Sequence, residues 1–330
     1  MRAAARLILL PLLLLAACGG DEGSEGGGAR SDPGEARFAA AIREAQRVEA
    51  GDFPAPAGRT LEKVASKRPA VSAGLATSVY TPGSNRLAIG VIDNEQRFVY
   101  GKTVVYLARK PDATAIGPIP APADPLVVEP PFRSRGAADA DSEVAAIYEA
   151  RVDLPRAGRW FVLTATQVAG RTYGASAQIR VSRSDPIPSV GDRAPRVATD
   201  TLTSAGGDIE AIDTRVPPDD MHDTSFDEVV GEKPVALLFA TPRLCQTRVC
   251  GPVVDIAAQL KKEYGDRMEF IHQEVYVDNV LQKGLRAPLR SFRLSTEPWL
   301  FTVSSDGRVA ARLEGSFGNG AFERAIRAAL

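Results

Sequence analysis

Two cysteines, Cys245 and Cys250, lie five residues apart in the segment Thr241-Pro-Arg-Leu-Cys-Gln-Thr-Arg-Val-Cys-Gly-Pro252. Two thiols this close in sequence can act as a couple in thiol–disulfide exchange. On one continuous helix their Cα atoms would be roughly 8.7 Å apart, whereas a disulfide needs about 4.4–6.8 Å. The spacing therefore predicts either that a helix begins near Cys250, with Pro252 in its first turn, or that oxidation unwinds a turn.

The surroundings of both cysteines favour the reactive thiolate. Both lie near a predicted helix N-terminus, where the helix dipole stabilises negative charge, and Arg243 and Arg248 add nearby cations. If the helix begins at Cys250, Cys245 lies on an exposed loop and Cys250 at the better-buried helix start. We therefore predict that Cys245 attacks and Cys250 resolves. The alternative is a static disulfide that only holds the loop, which an oxidising compartment would favour.

The elements that must position this pair follow from the apolar pattern. The continuous apolar run 233–240 predicts a buried parallel strand directly before the cysteines. Thr296-Glu297-Pro298 precedes a second apolar run. The other predicted elements are a helix over 253–264, strands over 268–276, 299–303 and 308–313, a turn at 304–307 and a helix over 320–330.

This order of elements resembles the thioredoxin superfamily over residues 188–330. Val190-Gly-Asp-Arg-Ala-Pro195 is similar to the start of peroxiredoxins and of extracytoplasmic thioredoxin-like disulfide reductases, and Glu297-Pro298-Trp-Leu-Phe-Thr-Val-Ser-Ser-Asp306-Gly307 is similar to the family's cis-proline loop and hairpin. The resemblance implies an α/β thioredoxin-like domain in which Glu297 and Pro298 hold a substrate strand beside the thiols. A proline before a central strand would otherwise be unfavourable.

The cysteine spacing departs from the family's Cys-x-x-Cys, and two alignments stay open. Aligned on the strand 237–241, Cys245 takes the place of the nucleophile; alternatively, Cys250-Gly251-Pro252-Val253 resembles Cys-Gly-Pro-Cys with its second cysteine replaced by Val253. A Cys-x4-Cys helix also resembles one class of two-cysteine peroxiredoxins. Those carry Thr three residues before the peroxidatic cysteine, whereas Thr241 lies four residues before Cys245.

The resulting prediction is a thiol–disulfide oxidoreductase that acts on protein thiols or disulfides with an unidentified redox partner and without a cofactor. Three alternatives stay open: a thiol peroxidase using the same pair, a copper-binding protein, and an interaction protein with a structural disulfide. Thioredoxin-like copper chaperones use Cys-x-x-x-Cys and a distant histidine, and this chain has one residue more between its cysteines. We expect His222 in a solvated polar loop and His272 as a hydrogen-bonded core residue, and we predict no metal site.

Residues 71–184 show a pattern typical of antiparallel β-structure. Runs rich in β-branched and aromatic residues alternate with turn signals, and they predict strands over 75–80, 86–93, 98–108, 145–153, 159–168 and 172–182. Their number indicates a two-sheet sandwich. The stretch from Leu154 through Gly158-Arg-Trp160 to Leu163 resembles bacterial extracytoplasmic immunoglobulin-like domains, in which such a tryptophan fills the core. The Pro-rich stretch 111–131 is predicted as an irregular loop.

Two shorter segments delimit this region. A short amphipathic helix over 35–49 and a linker to residue 70 precede it. Asp185-Pro-Ile-Pro188 breaks the chain after it, and we expect few contacts to cross this boundary.

Residues 1–18 have the features of a secretory signal. Arg2 and Arg6 precede an apolar run of eleven residues, which is too short to cross about 30 Å as a helix. The run ends in Leu15-Ala16-Ala17-Cys18, which resembles the lipobox of bacterial lipoproteins. The resemblance implies that Cys18 is lipidated and anchors the protein at the extracytoplasmic face of the cell membrane. The Gly-rich segment 19–34 then forms a flexible tether, and two free cysteines remain.

Composition sets wider limits on the 330 residues. With 40 Lys+Arg against 41 Asp+Glu, nothing favours nucleic-acid binding. Two histidines cannot build a His-rich metal site, and three cysteines are too few for a disulfide scaffold. The sequence as a whole predicts a membrane-tethered multidomain protein, in which an all-β immunoglobulin-like sandwich is followed by an α/β thioredoxin-like fold.

Overall fold

The computed structural model describes residues 33–66, 71–136, 144–245 and 250–330. The predicted signal segment 1–18 with Cys18, nearly all of the predicted tether, and Arg248 lie outside these described residues. Within the described ranges, no helix has both the length and the apolar content needed to cross a membrane. Residues 33–330 form one compact unit.

Eight strands in the first half form two four-stranded antiparallel sheets. One has the order β1-β2-β6-β5 and the other β4-β3-β7-β8. The strands are β1 (Ser72–Leu75), β2 (Gly83–Ile92), β3 (Thr103–Ala108), β4 (Ile116–Pro120), β5 (Ala123–Pro125), β6 (Ala146–Leu154), β7 (Gly158–Val168) and β8 (Arg171–Val181).

The two sheets share one apolar core because their strands alternate inward and outward side chains. Along β6, for example, Ala150, Val152 and Leu154 are buried while the intervening Arg151 and Asp153 are exposed. Trp160 on β7 is buried in the same core, as its sequence context predicts. Its indole Nε1 donates a hydrogen bond to the Arg156 carbonyl (2.9 Å).

The Pro-rich stretch 111–131 is not the irregular loop that its composition predicts. It contains β4 and β5, which lie at sheet edges. Proline lacks an N–H to donate, so edge strands tolerate it where central strands do not. The predicted strand over 75–80 is also wrong, because β1 ends at Leu75. The backbone N–H groups of Ser78 and Val79 instead donate to the Glu314 carboxylate (2.9 and 2.8 Å).

Helices α1 (Pro33–Gln46) and α2 (Leu61–Ala65) precede the sheets and pack on them. Ile42 and Ala45 of α1 join the core between the sheets. Leu61 and Val64 of α2 instead pack against apolar side chains of β3 and β7. The segment predicted as a short helix and linker thus covers apolar surface of the sandwich.

The second half contains a mixed four-stranded sheet with the order β10-β9-β11-β12. Strands β9 and β10 are parallel, whereas β11 pairs antiparallel with both β9 and β12. Its elements are α3 (Phe226–Val229), β9 (Val235–Phe239), α4 (Cys250–Tyr264), β10 (Glu269–Gln273), α5 (Ala287–Ser291), β11 (Trp299–Val303), β12 (Val309–Glu314) and α6 (Asn319–Ala329).

Helices cover both faces of this sheet. Apolar side chains of α4 and α6 pack on one face, against Ala236 and Leu238 of β9. On the other face, Phe226 of α3 and Leu289 of α5 pack near Leu237. All five residues of β9 are buried, which confirms the buried parallel strand predicted from the apolar run.

Many contacts join the two halves, contrary to the expectation that few would cross the boundary. Leu126, Val128 and Val144 belong to the apolar core that includes α4 and α6. The Asp124 carboxylate accepts hydrogen bonds from the N–H groups of Gly320 and Ala321 (both 2.8 Å) and so caps α6. The positions of the domain boundaries themselves stay predictions.

Candidate functional site

The candidate site lies where β9 ends and the chain turns towards α4. The Cys245 amide donates to the Thr241 carbonyl (3.1 Å), which closes a turn directly after the strand. The Arg243 amide donates to Thr214 Oγ1 (3.1 Å), which fixes the same loop from the other side. Two hydrogen bonds thus hold the backbone that carries the first cysteine.

Cys245 and Cys250 are joined by a disulfide, with their Cα atoms 6.0 Å apart. The described part of helix α4 runs from Cys250 to Tyr264. The separation of the two Cα atoms is shorter than the roughly 8.7 Å of one continuous helix and lies within the range that a disulfide needs. Cys250 has no exposed surface, whereas Cys245 is half-buried. Both predicted alternatives agree with this disulfide-bonded state, and Cys245 is the more exposed residue of the two.

Glu297 and Pro298 lie beside this pair. Trp299, the first residue of β11, is paired with Phe239 at the end of β9, so the turn before β11 reaches the cysteine loop. The Glu297–Pro298 peptide bond is cis, as the resemblance implies. One carboxylate oxygen of Glu297 and the two Sγ atoms all lie within 4.8 Å of one another.

The Glu297 carboxyl is perturbed by this position. Burial and, to a smaller extent, the negative charge of Glu274 together raise its pKa to about 7, against the lowering effect of a hydrogen bond with Tyr276. Among the described residues, Glu297 Oε2 has no hydrogen-bond partner. The site therefore pairs a disulfide with an acid that can gain or lose a proton near neutral pH.

Sequence reasoning missed Glu274 and Tyr276. Glu274 is fully buried, and its Oε1 accepts from the N–H and the hydroxyl of Thr214 (2.8 and 2.6 Å). Burial also raises the pKa of Tyr276, with a further contribution from Glu297. The signal that could have found them is their position just after β10, since the carboxyl ends of parallel strands β9 and β10 lie at one edge of the sheet.

The supporting residues predicted from the sequence have different outcomes. Thr241 is buried at the start of the cysteine loop, and its hydroxyl has no hydrogen-bond partner among the described residues. Arg243 lies on the same loop with an exposed side chain. Arg248 lies outside the described residues, so its predicted charge effect stays a prediction.

A cavity of about 410 Å³ opens next to Glu297 between the two halves of the molecule. Thr296 and Glu297 line one side of it, and Leu75, Phe98 and Ile147 from the sandwich half line another. An apolar side chain could therefore enter beside the Glu297-Pro298 turn.

The two histidines form a buried cluster with Asp213 and Asp219. His272 is the hydrogen-bonded core residue expected: Nδ1 is 2.8 Å from Asp219 Oδ2, and Nε2 is 3.2 Å from the Ala240 carbonyl. The expectation of a solvated loop for His222 is wrong, since its side chain is only 3% exposed. The loop is buried because the His272 amide donates to the carbonyl of Met221 (3.0 Å), a core residue.

The carboxylates set the charge of this cluster. Burial alone would lower the pKa of His272, but the Asp219 and Asp213 carboxylates raise it to about 10. They also raise the pKa of His222 against the effect of burial. The four side chains have the donor types and mutual distances of a possible metal site.

Comparisons with known proteins give only distant likenesses. No protein-family model matches the chain, and no curated protein matches it. Among solved structures, the chain is similar to a protein described as the thiol:disulfide interchange protein DsbE from Chlorobium tepidum. The two are 16% identical, the match covers 43% of this chain and 98% of that chain, and the TM-score is 0.31. An endo-β-1,4-mannanase from Thermotoga petrophila is similar at 11% identity, over 36% of this chain and 21% of that chain, with a TM-score of 0.20. At these TM-scores, neither likeness assigns a fold or a function.

Proposed function

We propose that this protein is a thiol–disulfide oxidoreductase with Cys245 and Cys250 as its redox couple. The observation that carries the proposal is the disulfide at the end of β9 with the Glu297 carboxyl, whose pKa is raised to about 7, within 4.8 Å of both sulfurs. Burying an acid costs free energy. A disulfide that only holds a loop does not require a buried acid beside it. Perturbed acids of this kind concentrate at reactive sites.

The fold of residues 188–330 that we propose is thioredoxin-like. Three features of the sheet support it. The sheet order is β10-β9-β11-β12, α4 connects the parallel strands β9 and β10, and α6 follows the antiparallel hairpin β11–β12. The placement of the cysteines at the start of α4 and of a cis-proline at the start of β11 agrees with the same fold.

In the direction that reduces a substrate, the Cys245 thiolate attacks one sulfur of the substrate disulfide. A mixed disulfide forms, and the other substrate sulfur leaves as a thiolate. The Cys250 thiolate then attacks Cys245 Sγ, which forms the observed disulfide and releases the second substrate thiolate. The substrate gains two electrons and the cysteine pair loses two; the reverse sequence oxidises a substrate dithiol.

Relative exposure supports these roles. A substrate sulfur needs access to the attacking thiol, and Cys245 is the half-buried member while Cys250 is fully buried. The buried thiol needs to reach only its neighbour. Its position as the first residue of α4 adds the favourable field of the helix N-terminus to its thiolate.

Glu297 has the position of a proton carrier for these steps. Each thiol must lose a proton before it attacks, and each leaving thiolate gains one. A carboxyl whose pKa lies near 7 and whose oxygen lies within 4.8 Å of both sulfurs can accept the first proton and return it later. Pro298, which is buried directly after it, would hold the substrate backbone beside the thiols.

For the rest of the chain we propose the arrangement that the sequence indicates. Residues 71–184 form an immunoglobulin-like sandwich, which the two antiparallel sheets and the buried Trp160 support. Its side chains line the cavity next to Glu297, which supports a role in contacting protein substrates. The lipobox-like residues up to Cys18 support a lipid anchor at the extracytoplasmic face of the cell membrane.

The proposal is tested by catalysed disulfide exchange in both directions. The detergent-solubilised chain should accelerate the reduction of insulin by dithiothreitol or the oxidation of a reduced model protein, and Cys245→Ser and Cys250→Ser should abolish the acceleration. Cys18→Ser is the matched control, since it removes the third cysteine and should retain the activity. No acceleration in either direction by the wild type would contradict the proposal. Peroxide consumption by the same pair, without exchange, would favour the thiol peroxidase.

A further inference from the structure

A second group of reactive side chains lies in the second half of the molecule, apart from the cysteines. It combines Asp213, Asp219 and His222 from the chain before α3 with His272 on β10. All four side chains are at most 3% exposed. The group contains both histidines of the chain.

The distances in this group bring two imidazole nitrogens and two carboxylates close together. His222 Nε2 is 3.3 Å from Asp219 Oδ1 and 3.6 Å from Asp213 Oδ2. His272 Nδ1 is 2.8 Å from Asp219 Oδ2 and 3.9 Å from Asp213 Oδ1. Four N and O ligands at about 2.0–2.2 Å from a tetrahedral Zn²⁺ lie roughly 3.3–3.6 Å from one another. The four contacts involve both oxygens of each carboxylate, and one ligand atom from each side chain can be chosen so that all four atoms lie within 4.8 Å of one another.

The tautomer of His272 favours a cation between the side chains. Its Nε2 is 3.2 Å from the Ala240 carbonyl, which can only accept a hydrogen bond, so Nε2 carries a hydrogen. Nδ1 faces the Asp219 carboxylate at 2.8 Å; it holds a proton there in the metal-free protein and offers its lone pair to an ion that displaces this proton. Two acceptors at this distance repel unless a proton or a metal ion lies between them.

His222 offers a second imidazole nitrogen to an ion between the carboxylates. Its Nε2 lies 3.3 Å from Asp219 Oδ1 and 3.6 Å from Asp213 Oδ2, and among the described residues its Nδ1 has no hydrogen-bond partner, although the side chain is only 3% exposed. A buried ring nitrogen without a hydrogen-bond partner is costly. Coordination would go through Nε2, the nitrogen that faces both carboxylates.

The carboxylates are held in place for this purpose by backbone donors. Asp213 accepts from the amides of Arg215 and Asp219 (both 2.7 Å), and Asp219 accepts from the amide of Met221 (2.9 Å). Outer hydrogen bonds of this kind orient metal ligands. Two carboxylates and two neutral imidazoles also balance the charge of one divalent ion.

We propose that Asp213, Asp219, His222 and His272 form a tetrahedral binding site for one divalent transition-metal ion, with Zn²⁺ as the ion that two imidazoles and two carboxylates suit. The ion would join the loop of residues 213–222 to β10. Because every ligand is buried and four protein ligands complete the shell, the site is structural rather than catalytic. The proposal does not depend on the redox function.

The test is a titration of the metal-free full chain with ZnCl₂, followed by calorimetry and thermal unfolding. We expect one Zn²⁺ per chain and a rise in Tm on binding. His222→Gln keeps most of the volume of the ring and should weaken binding by at least about 100-fold, because losing a ligand exceeds the 10–100-fold cost of losing an outer partner. Asp213→Asn should act in the same direction.

The cysteine pair is the necessary control, since Cys245, Cys250 and Glu297 also lie close enough to share an ion. Cys245→Ser/Cys250→Ser should retain full Zn²⁺ binding. CoCl₂ gives a readout that does not depend on a variant folding well: a tetrahedral N and O shell absorbs in the visible range without a thiolate charge-transfer band. The proposal would be overturned if the wild type did not bind Zn²⁺ stoichiometrically, or if Cys245→Ser/Cys250→Ser lost the binding. The two histidines and two aspartates would then form a cluster of ion pairs between imidazolium and carboxylate groups.

Discussion

Cys245 and Cys250 are joined by a disulfide with Cα atoms 6.0 Å apart, and the second cysteine is the first described residue of α4. The two residues differ in exposure, since Cys250 is fully buried and Cys245 is half-buried. This difference is the basis of the different roles that we propose for the two cysteines.

The first prediction follows from that difference. Cys250→Ser should accumulate mixed disulfides with substrate thiols, because the attacking thiol is present and the resolving thiol is missing. Cys245→Ser should not accumulate them. Non-reducing electrophoresis and mass spectrometry after alkylation measure both. Accumulation only in Cys245→Ser would reverse the roles and favour the alignment on Cys250-Gly251-Pro252.

The second prediction concerns the pH dependence of stability. The pKa of Glu297 is about 7 in the folded protein, above its ordinary value near 4.5, so the folded state binds more protons between these values. The contribution of Glu297 to the free energy of unfolding therefore falls as pH rises from about 4.5 to 7. Glu297→Gln should lack this fall and be more stable than the wild type at pH 8, with the two converging near pH 4. Urea unfolding of the oxidised proteins at each pH measures the difference.

Glu297→Gln should also slow disulfide exchange by about 100-fold at pH 7, since positioned acids and bases contribute on the order of 10²–10⁴. Glu263→Gln, the same change at an exposed position of α4, is the matched control for both measurements. An unchanged exchange rate in Glu297→Gln would remove the proton-carrier role.

Much of this site could be predicted from the sequence, because its signals are local. Each signal lies within a short stretch of sequence. These signals are the apolar run before the cysteines, the cysteine spacing, which a disulfide cannot bridge on one continuous helix, and Glu297-Pro298 before an apolar strand. The structure adds Glu274 and Tyr276, which follow β10 and meet Glu297 only through the strand pairing.

The failures come from long-range contacts. His222 lies in a polar stretch that is typical of a loop, and its burial depends on the backbone pairing of Met221 with His272 on β10. The predicted strand over 75–80 is replaced by a hydrogen bond between Ser78 and Glu314, 236 residues away in the chain. No local pattern carries such information.

The third prediction concerns the join between the two halves. The Asp255 side chain on α4 is fully buried; it pairs with Arg215 (2.9 Å) and accepts from the N–H and hydroxyl of Ser134 (3.2 and 3.0 Å). Asp255→Asn leaves the Arg215 charge without its partner and should lower the free energy of unfolding by about 3–5 kcal/mol. Guanidinium unfolding measures the loss.

Asp278→Asn is the matched control for that variant. It removes the carboxylate of a solvent-exposed pair with Lys283, and it should leave stability unchanged within error. Equal effects of the two substitutions would show that the contacts of α4 with residue 134 and residue 215 do not hold the molecule together.

The fourth prediction concerns the proposed anchor. Cys18→Ser should abolish acylation and release the protein from membranes, because the apolar run before it is too short to span a bilayer. Membrane fractionation with alkaline washing, combined with metabolic labelling by a fatty acid, measures this. A Cys18→Ser protein that stays in the washed membrane would contradict the lipid anchor.

The reduction potential of the Cys245–Cys250 pair tests the central claim most directly. It is measured by equilibrating the full chain in graded glutathione or dithiothreitol buffers and counting alkylated thiols, with Cys18→Ser used so that only this pair is counted. A redox couple should give a potential in the range of about −270 to −120 mV that exchange proteins occupy. A potential below about −300 mV, typical of structural disulfides, would contradict the account.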